Sequence, residues 1–402
     1  MTSPVSDLRA AWPVAFDVGP INAQPTGVSI TVSELLRALD TLAPGRIERI
    51  GRSVGTDGPL RGLRYLAWLQ TAADSEVRAV GAAVVHYTNG VAPLRSRQPF
   101  ALSIVDLSLL RRPGDHPASR LALAPFLVSA ARRAGLIIVP SRATAHEVRR
   151  LLHVSAERVV VIPLASRTAV GAKFVNHSMT NEVIGRLGLD RGRFVLSLGT
   201  IEPRKNHARL LAAFERLARD DAGLRLVLTG RWGWRTTAFR RALAVSPVRD
   251  RVVVTGHVAD DVVGALLRSC AVMVYPSLYE GFGLPVLEAM AAGSPVVTSA
   301  VSSLPEAAGG AAILVDPYDV ASIAAGITEA IARRDELIAA GYARAAGRSW
   351  LDVGRETLDA YRCVEGDPSV LRAPLGPMPD LDLAAADDVE PAGSERDVDD
   401  RE

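Results

Sequence analysis

Lysine is almost absent from this chain: of 402 residues only Lys173 and Lys205 are lysine, against 44 arginines. Basic positions that accept either side chain have gone to arginine, so a retained ammonium group is informative. It is a mobile point charge where guanidinium is a planar fork. Cysteine is equally scarce, and Cys270 and Cys363 form neither a metal-ligand spacing nor a disulfide framework. No run of about 18 uninterrupted apolar residues occurs, which excludes an ordinary spanning helix. The opening MTSPVSDLRAAWPVAF lacks a basic region followed by a long apolar stretch, so no secretory signal is expected and a cytoplasmic location is the default.

Charge is also missing where it is usually plentiful. From Ser269 to Pro305 the only formally charged side chains are Glu280 and Glu288, set in SLYEGFGLPVLEA. Elsewhere the charge is lopsided. The overall value of +2 divides into −9 for residues 365–402 and +11 for the remainder. The acidic segment, rich in Pro, Ala and Asp, reads as a disordered, solvated tail. Its two DxD triplets, at Asp380 and Asp397, lack the strand or glycine turn that would frame a metal site, and no metal is expected. The basic body suits phosphorylated ligands, or peripheral contact with an anionic membrane surface, and nucleic acid is not among the expected partners.

What is present is an alternation of short apolar runs with amphipathic stretches. PVAFDV (13–18), AAVVHYT (82–88), PFALSIV (99–105), GLIIVPS (135–141) and RVVVIPL (158–164) read as strands. The segments 30–39 and 143–152 between them read as helices. The alternation stops over 165–191, a connector, and restarts with strands at 193–199, 224–230, 251–256, 271–277, 294–299 and 311–316. Helices are expected at 206–219, 259–268, 285–292 and 319–334. This is the pattern of two α/β units with parallel sheets, and the length agrees. Ligands of such sheets bind beyond the carboxyl ends of the strands, here in a cleft between two facing domains.

The loops after the strands carry the chemistry. In GTIEPRKNHARLL, Gly199 and Thr200 let the chain turn, and Arg204 and Lys205 precede a helix for which Asn206 is the expected N-cap. Two cations beside a helix N-terminus make an anion site fit for a diphosphate, unless they are merely a solvated pair. In the second loop, Gly281 and Gly283 allow a tight turn and Pro285 suits a first helical turn. A carboxylate in apolar surroundings needs a partner, and hydroxyls of a sugar or ribose would serve Glu280 and Glu288. Glu288 is equally read as a first-turn acid favoured by the helix dipole. Gly27, between an expected strand and helix, is a weaker candidate for close phosphate approach.

With these residues on the page, the chain resembles the retaining glycosyltransferases of family 4, which have the GT-B architecture of two Rossmann-like domains facing a cleft. GTIEPRKN (199–206), YPSLYEGFGLPVLEAMAAGSPVVTS (275–299), SSLPEAAGGAAILVDP (302–317), HYTNGVAPL (86–94) and DLSLLRRP (106–113) carry the likeness, which spans most of 12–364. It implies a domain at 1–170 on the acceptor side and one at 171–349 for the nucleotide sugar. It also implies a helix at 350–364 returning to the first domain, followed by the tail at 365–402. By resemblance, Arg204 and Lys205 hold the donor diphosphate and Glu288 binds the ribose diol. Glu280 with the amides of Gly281, Phe282, Gly283 and Leu284 holds the transferred sugar and phosphate. Gly27 meets the diphosphate from the opposite domain, and Val258 lies near the base. Asp106, Arg204, Lys205 and Glu280 are the implied catalytic residues; His86, Asn89 and Asp106 are candidates on the acceptor side.

Related enzymes usually have His before the Asp of DLS; here that residue is Val105. Asp106 and His86 are the candidates to compensate, although His86 is equally read as a structural histidine, and His116 in PGDHP reads as a loop residue. The implied activity is retaining transfer of a hexose, mannose from GDP-mannose by the style of the motifs, to a glycan or lipid-linked acceptor. No cofactor is implied beyond the nucleotide diphosphate sugar. Two other functions fit: an inactive nucleotide-sugar-binding subunit, favoured by Val105, and a GT-B sugar-nucleotide epimerase.

Overall fold

Apolar runs without polar alternation belong to strands covered on both faces. In the computed structural model they form two six-stranded sheets. The structure describes residues 13–22, 26–55, 60–96, 98–167, 177–362 and 364. The expected acidic tail, its DxD triplets, Cys363, Lys173 and part of the connector lie outside the described residues.

The first sheet contains β1 (Val14–Asp17), β2 (Ile47–Ile50), β3 (Val84–Tyr87), β4 (Phe100–Ser103), β5 (Leu136–Val139) and β6 (Val159–Val161), in the order β2-β1-β3-β4-β5-β6. The second contains β7 (Phe194–Leu198), β8 (Arg225–Thr229), β9 (Val252–Gly256), β10 (Val272–Tyr275), β11 (Val296–Ser299) and β12 (Ile313–Val315), in the order β12-β11-β10-β7-β8-β9. All pairings are parallel. Every strand expected from an apolar run forms. β2 is passed over by that criterion because it is an edge strand, IERI, whose two central residues are charged and whose two isoleucines alone are buried.

Strand order decides where a crevice opens. In the first sheet the winding reverses between β1 and β3, and in the second between β7 and β10. Loops leaving the carboxyl ends of such a pair run in opposite directions and leave a gap.

The helix Trp350–Tyr361 returns to the first sheet, as the resemblance implied. Ser349 and Asp352 form a capping box at its start. Its Gly354 lies against the helix Gly27–Leu42 so closely that a Cβ there would come within 2.8 Å of Leu42 Cδ1 and 3.0 Å of Ala38 Cβ. At its end the Tyr361 hydroxyl lies 2.8 Å from His86 Nδ1, and His86 Nε2 lies 2.8 Å from Ser103 Oγ. His86 is fully buried, with its ring edge-on to Phe16. This corrects its candidacy on the acceptor side: both ring nitrogens are engaged inside the core, where they pin the returning helix to the sheet.

Burial lowers the His86 pKa from 6.5 to about 3. The folded chain therefore holds this ring neutral where the unfolded chain protonates it. The stability it supports is fully present above pH 6.5 and is lost as pH falls from there toward 3. His86→Gln is expected to cost about 1–3 kcal/mol at pH 7.5. The gap to wild type is expected to narrow by about 1.4 kcal/mol per pH unit below 6.5. Urea midpoints at pH 7.5 and 5 check this; a gap independent of pH contradicts the buried neutral imidazole.

Candidate functional site

The loops after β7 and β10 meet at the reversal of the second sheet. After β7 the chain turns at Gly199, passes through the turn Pro203–Lys205, and enters the helix His207–Asp220. Asn206 precedes that helix in a left-handed conformation (φ 63°) and makes no capping bond with its side chain. Asn206 thus holds the expected N-cap position, but its side chain does not do the capping. Its amide nitrogen instead donates to the carbonyls of Pro276 (3.0 Å) and Pro317 (2.7 Å), which ties the β7, β10 and β12 loops together.

After β10, Glu280 points between the two cations. Lys205 Nζ donates to its Oε1 at 2.5 Å, and Arg204 Nη1 donates to its Oε2 at 2.9 Å. The Tyr275 hydroxyl adds a bond to Oε1 at 3.0 Å. Arg204 also donates to the Tyr279 carbonyl (2.8 Å) and through Nη2 to Glu202 (2.9 Å). Ser302 and Ser303 fix the backbone of Glu280 from the loop after β11. Gly283, at φ 107°, then admits the chain to the helix Leu284–Ala291.

The cluster is buried, and its electrostatics follow from that. Desolvation alone would raise the Glu280 pKa; Arg204 and then Lys205 overcome it and hold the carboxyl at about 2. Burial lowers the Lys205 pKa although Glu280 opposes this. Two cations and two acids thus neutralise one another inside the protein, while Arg204 Nε is buried without a partner. An anion entering here meets donors already gathered, and binding them competes with their bonds to Glu280, Glu202 and Tyr275.

The first half of the chain closes over this cluster. Gly281 has no room for a side chain: a Cβ would lie 1.8 Å from the Val105 carbonyl oxygen and 2.9 Å from Asp106 Cβ. Its own carbonyl accepts from Ser141 Oγ (2.8 Å) and Thr144 Oγ1 (3.1 Å). Glu306 accepts from the amides of Arg142 (2.9 Å) and Ala143 (2.8 Å), capping the helix Arg142–Leu152 from the other half. The Tyr279 hydroxyl bonds Glu147 and accepts from the Leu107 amide. Asp106 is thereby brought to the Glu280 loop.

Glu288 is buried and bonded to Arg167, whose other arm reaches Asp260 at 3.0 Å. Burial raises the Glu288 pKa and Arg167 offsets only part of this. Glu288 lies beyond the first turn of its helix, so the dipole reading does not apply to it. Val258, two residues before Asp260, is partly buried in the loop after β9. Gly27 is exposed, opens its helix behind an N-cap from Thr26, and has open space where a Cβ would stand. Thr200 is partly buried beside Gly199, Phe282 and Leu284 are buried, and Asn89 is exposed after β3.

Sequence reasoning missed Glu202, Tyr275, Tyr279, Glu306 and Arg167. The first four stand inside the quoted motifs and were legible as polar groups there. Arg167 sits in a connector with no pattern, and only folding brings it to Glu288. Among the described residues, no three His, Cys, Asp or Glu side chains gather to hold a metal ion.

Residues 181–345 match the family model described as glycosyl transferases group 1. The chain is 33% identical over 264 residues to the O-antigen chain mannosyltransferase B of Escherichia coli, covering 64% of this chain and 68% of that protein. It is 32% identical over 240 residues to the serotype-specific mannosyltransferase WbdA of Escherichia coli, covering 57% of this chain and 29% of that longer protein. The crystal structure of Anabaena Alr3699/HepE in complex with UDP and glucose shares the fold, with a TM-score of 0.67 and 17% identity over 87% of this chain and 99% of that one.

Arg167→Met would leave Glu288 buried without its cation. Urea titration is expected to show a loss of about 3–5 kcal/mol, most of it recovered in Arg167→Met/Glu288→Gln. An equal loss in both variants would assign the effect to packing of the Arg167 stem instead of its charge.

Proposed function

The chain belongs to the glycosyl transferases group 1, and from that premise we propose that it moves a hexose from a nucleotide diphosphate sugar to a hydroxyl group of a glycan or lipid-linked acceptor, with retention and without a catalytic metal. The observation that carries this reading is the gathering of Arg204, Lys205 and Glu280 at the β7/β10 reversal. A diphosphate placed there gives both cations a new partner, and Glu280, released from them, accepts from hydroxyls of the sugar. As the glycosidic bond breaks, its electron pair passes to a phosphate oxygen, and the growing charge is met by preorganised Arg204 and Lys205. The acceptor hydroxyl attacks from the face the diphosphate leaves, and its proton passes to that phosphate. No protein base is required, so Val105 is compatible with turnover. Glu288, with Arg167 as counter-ion, would meet the ribose diol, and Val258 the base.

Mannose as the sugar and GDP as its carrier are supported by the two mannosyltransferase relatives and by the GTIEPRKN and DLSLLRRP segments. A lipid-linked acceptor would be met at an anionic membrane surface, which the +11 charge outside residues 365–402 favours. Among the described residues no helix is long and apolar enough to cross a membrane. One observation favours a second reading: Val105 supplies no protic group beside Asp106, as suits a subunit that binds a nucleotide sugar without turning it over.

Lys205→Ala separates these. Against GDP-mannose and a panel of other nucleotide sugars, wild type is expected to catalyse hydrolysis or transfer. The variant is expected to lose about 10²–10³ in kcat. Unchanged turnover in the variant removes Lys205 from the mechanism, and calorimetric donor binding by a wild type without turnover supports the second reading.

A further inference from the structure

His116 is only 3% exposed, and both of its ring nitrogens are buried without a hydrogen-bond partner. It is a loop residue, as expected, but a buried one. It follows the turn Pro113–Asp115 and precedes Pro117, so the backbone around it is restricted. Its ring stacks on Trp234 of the loop after β8 (centroids 6.0 Å, interplanar angle 28°). Trp234 Nε1 donates to the Asp115 carbonyl at 2.6 Å, and the Arg120 guanidinium lies 4.1 Å above the Trp234 ring. The loop is therefore clamped across the two halves of the chain, and the imidazole cannot turn freely to solvent.

The charged groups that act on this ring are Asp106, Arg204, Arg120 and Glu202. Arg204 and Glu202 belong to the buried ion cluster, and Asp106 touches Gly281. Packing against Trp234 needs only an apolar ring; two unsatisfied nitrogens are a cost that packing does not explain. Burial lowers the His116 pKa, with Asp106 opposing, so the ring is neutral at pH 7 and offers one N–H and one lone pair. With two carboxylates and two guanidinium groups acting on it, a neutral ring adds no charge to hold a phosphate and is a good partner for an uncharged hydroxyl.

We propose that a ring nitrogen of His116 hydrogen-bonds a hydroxyl group of the transferred hexose and holds the sugar against Arg204 and Glu280. The inference rests on the glycosyl-transfer reading above. The diphosphate takes the cations of the second half of the chain, and His116 reaches the uncharged part of the donor from the first half.

His116→Phe keeps the stack on Trp234 and removes both nitrogens; His116→Asn restores a donor and an acceptor. Hydrolysis and transfer are measured with the donor that wild type turns over. Affinity for the corresponding nucleoside diphosphate alone is measured by calorimetry. His116→Phe is expected to lower kcat by about 10²-fold, to leave diphosphate affinity within about twofold, and to be partly rescued by His116→Asn. Wild-type kcat in His116→Phe overturns the contact, and so does a loss of diphosphate affinity that matches the loss of turnover. Should the phenylalanine variant not fold, His116→Asn is compared with wild type on monodeoxy donors. An unchanged preference among them overturns the contact; a preference altered at one position supports it. A wild type that turns over no nucleotide sugar defeats the glycosyl-transfer reading and this inference together, whereas active wild type with equally active His116→Phe defeats this inference alone.

Discussion

Glu280, held between Lys205 and Arg204 in a buried loop crossing, is the interaction on which the rest of the site depends. Neither cation is tolerable inside the protein unpaired, and neither is the carboxylate. Their mutual neutralisation lets two cations stand buried at the β7/β10 reversal. Under the proposed function, a diphosphate would replace the carboxylate, leaving it available to hydroxyls. The loops can meet this way only because β7 and β10 are neighbours in space although β8 and β9 intervene in the chain.

Close polar bonds join the halves beside an apolar cluster that residues of both share. Serine and threonine hydroxyls meet the Gly281 carbonyl, Glu306 caps a helix of the other half, and Tyr279 bridges Glu147 and Leu107. Gly281 is the geometric key, because any side chain there would collide with the Val105 carbonyl and hold the halves apart. The Glu280 loop therefore serves two purposes: its carboxylate organises the cations, and its glycine lets Asp106 approach them.

Burial sorts the histidines more sharply than sequence position did. His86, in a quoted motif, has both nitrogens occupied by Tyr361 and Ser103 and works for the fold. His116, in a segment with the look of a loop, is equally buried with neither nitrogen occupied. One ring pins the returning helix, and the other stands beside the ion cluster with its hydrogen-bonding capacity unused. The difference lies in which strand ends and loops fold brings to each ring.

The sequence by itself determined the two parallel α/β units, the loops that carry chemistry and the identity of Arg204, Lys205, Glu280 and Glu288. Apolar runs and glycine turns are local signals, and a carboxylate in an apolar stretch is conspicuous wherever it folds. It did not reveal β2, whose charged centre hides an edge strand, nor the true office of Asn206, which is to bind two distant carbonyls. Only the tertiary structure decided that Arg167 pairs with Glu288, that Glu306 caps a helix more than 150 residues away, and that both ring nitrogens are engaged in His86 and unpartnered in His116. Pairing of charges and satisfaction of ring nitrogens depend on neighbours in space, and those neighbours are set by strand order and the closing of the two halves, which no local pattern encodes.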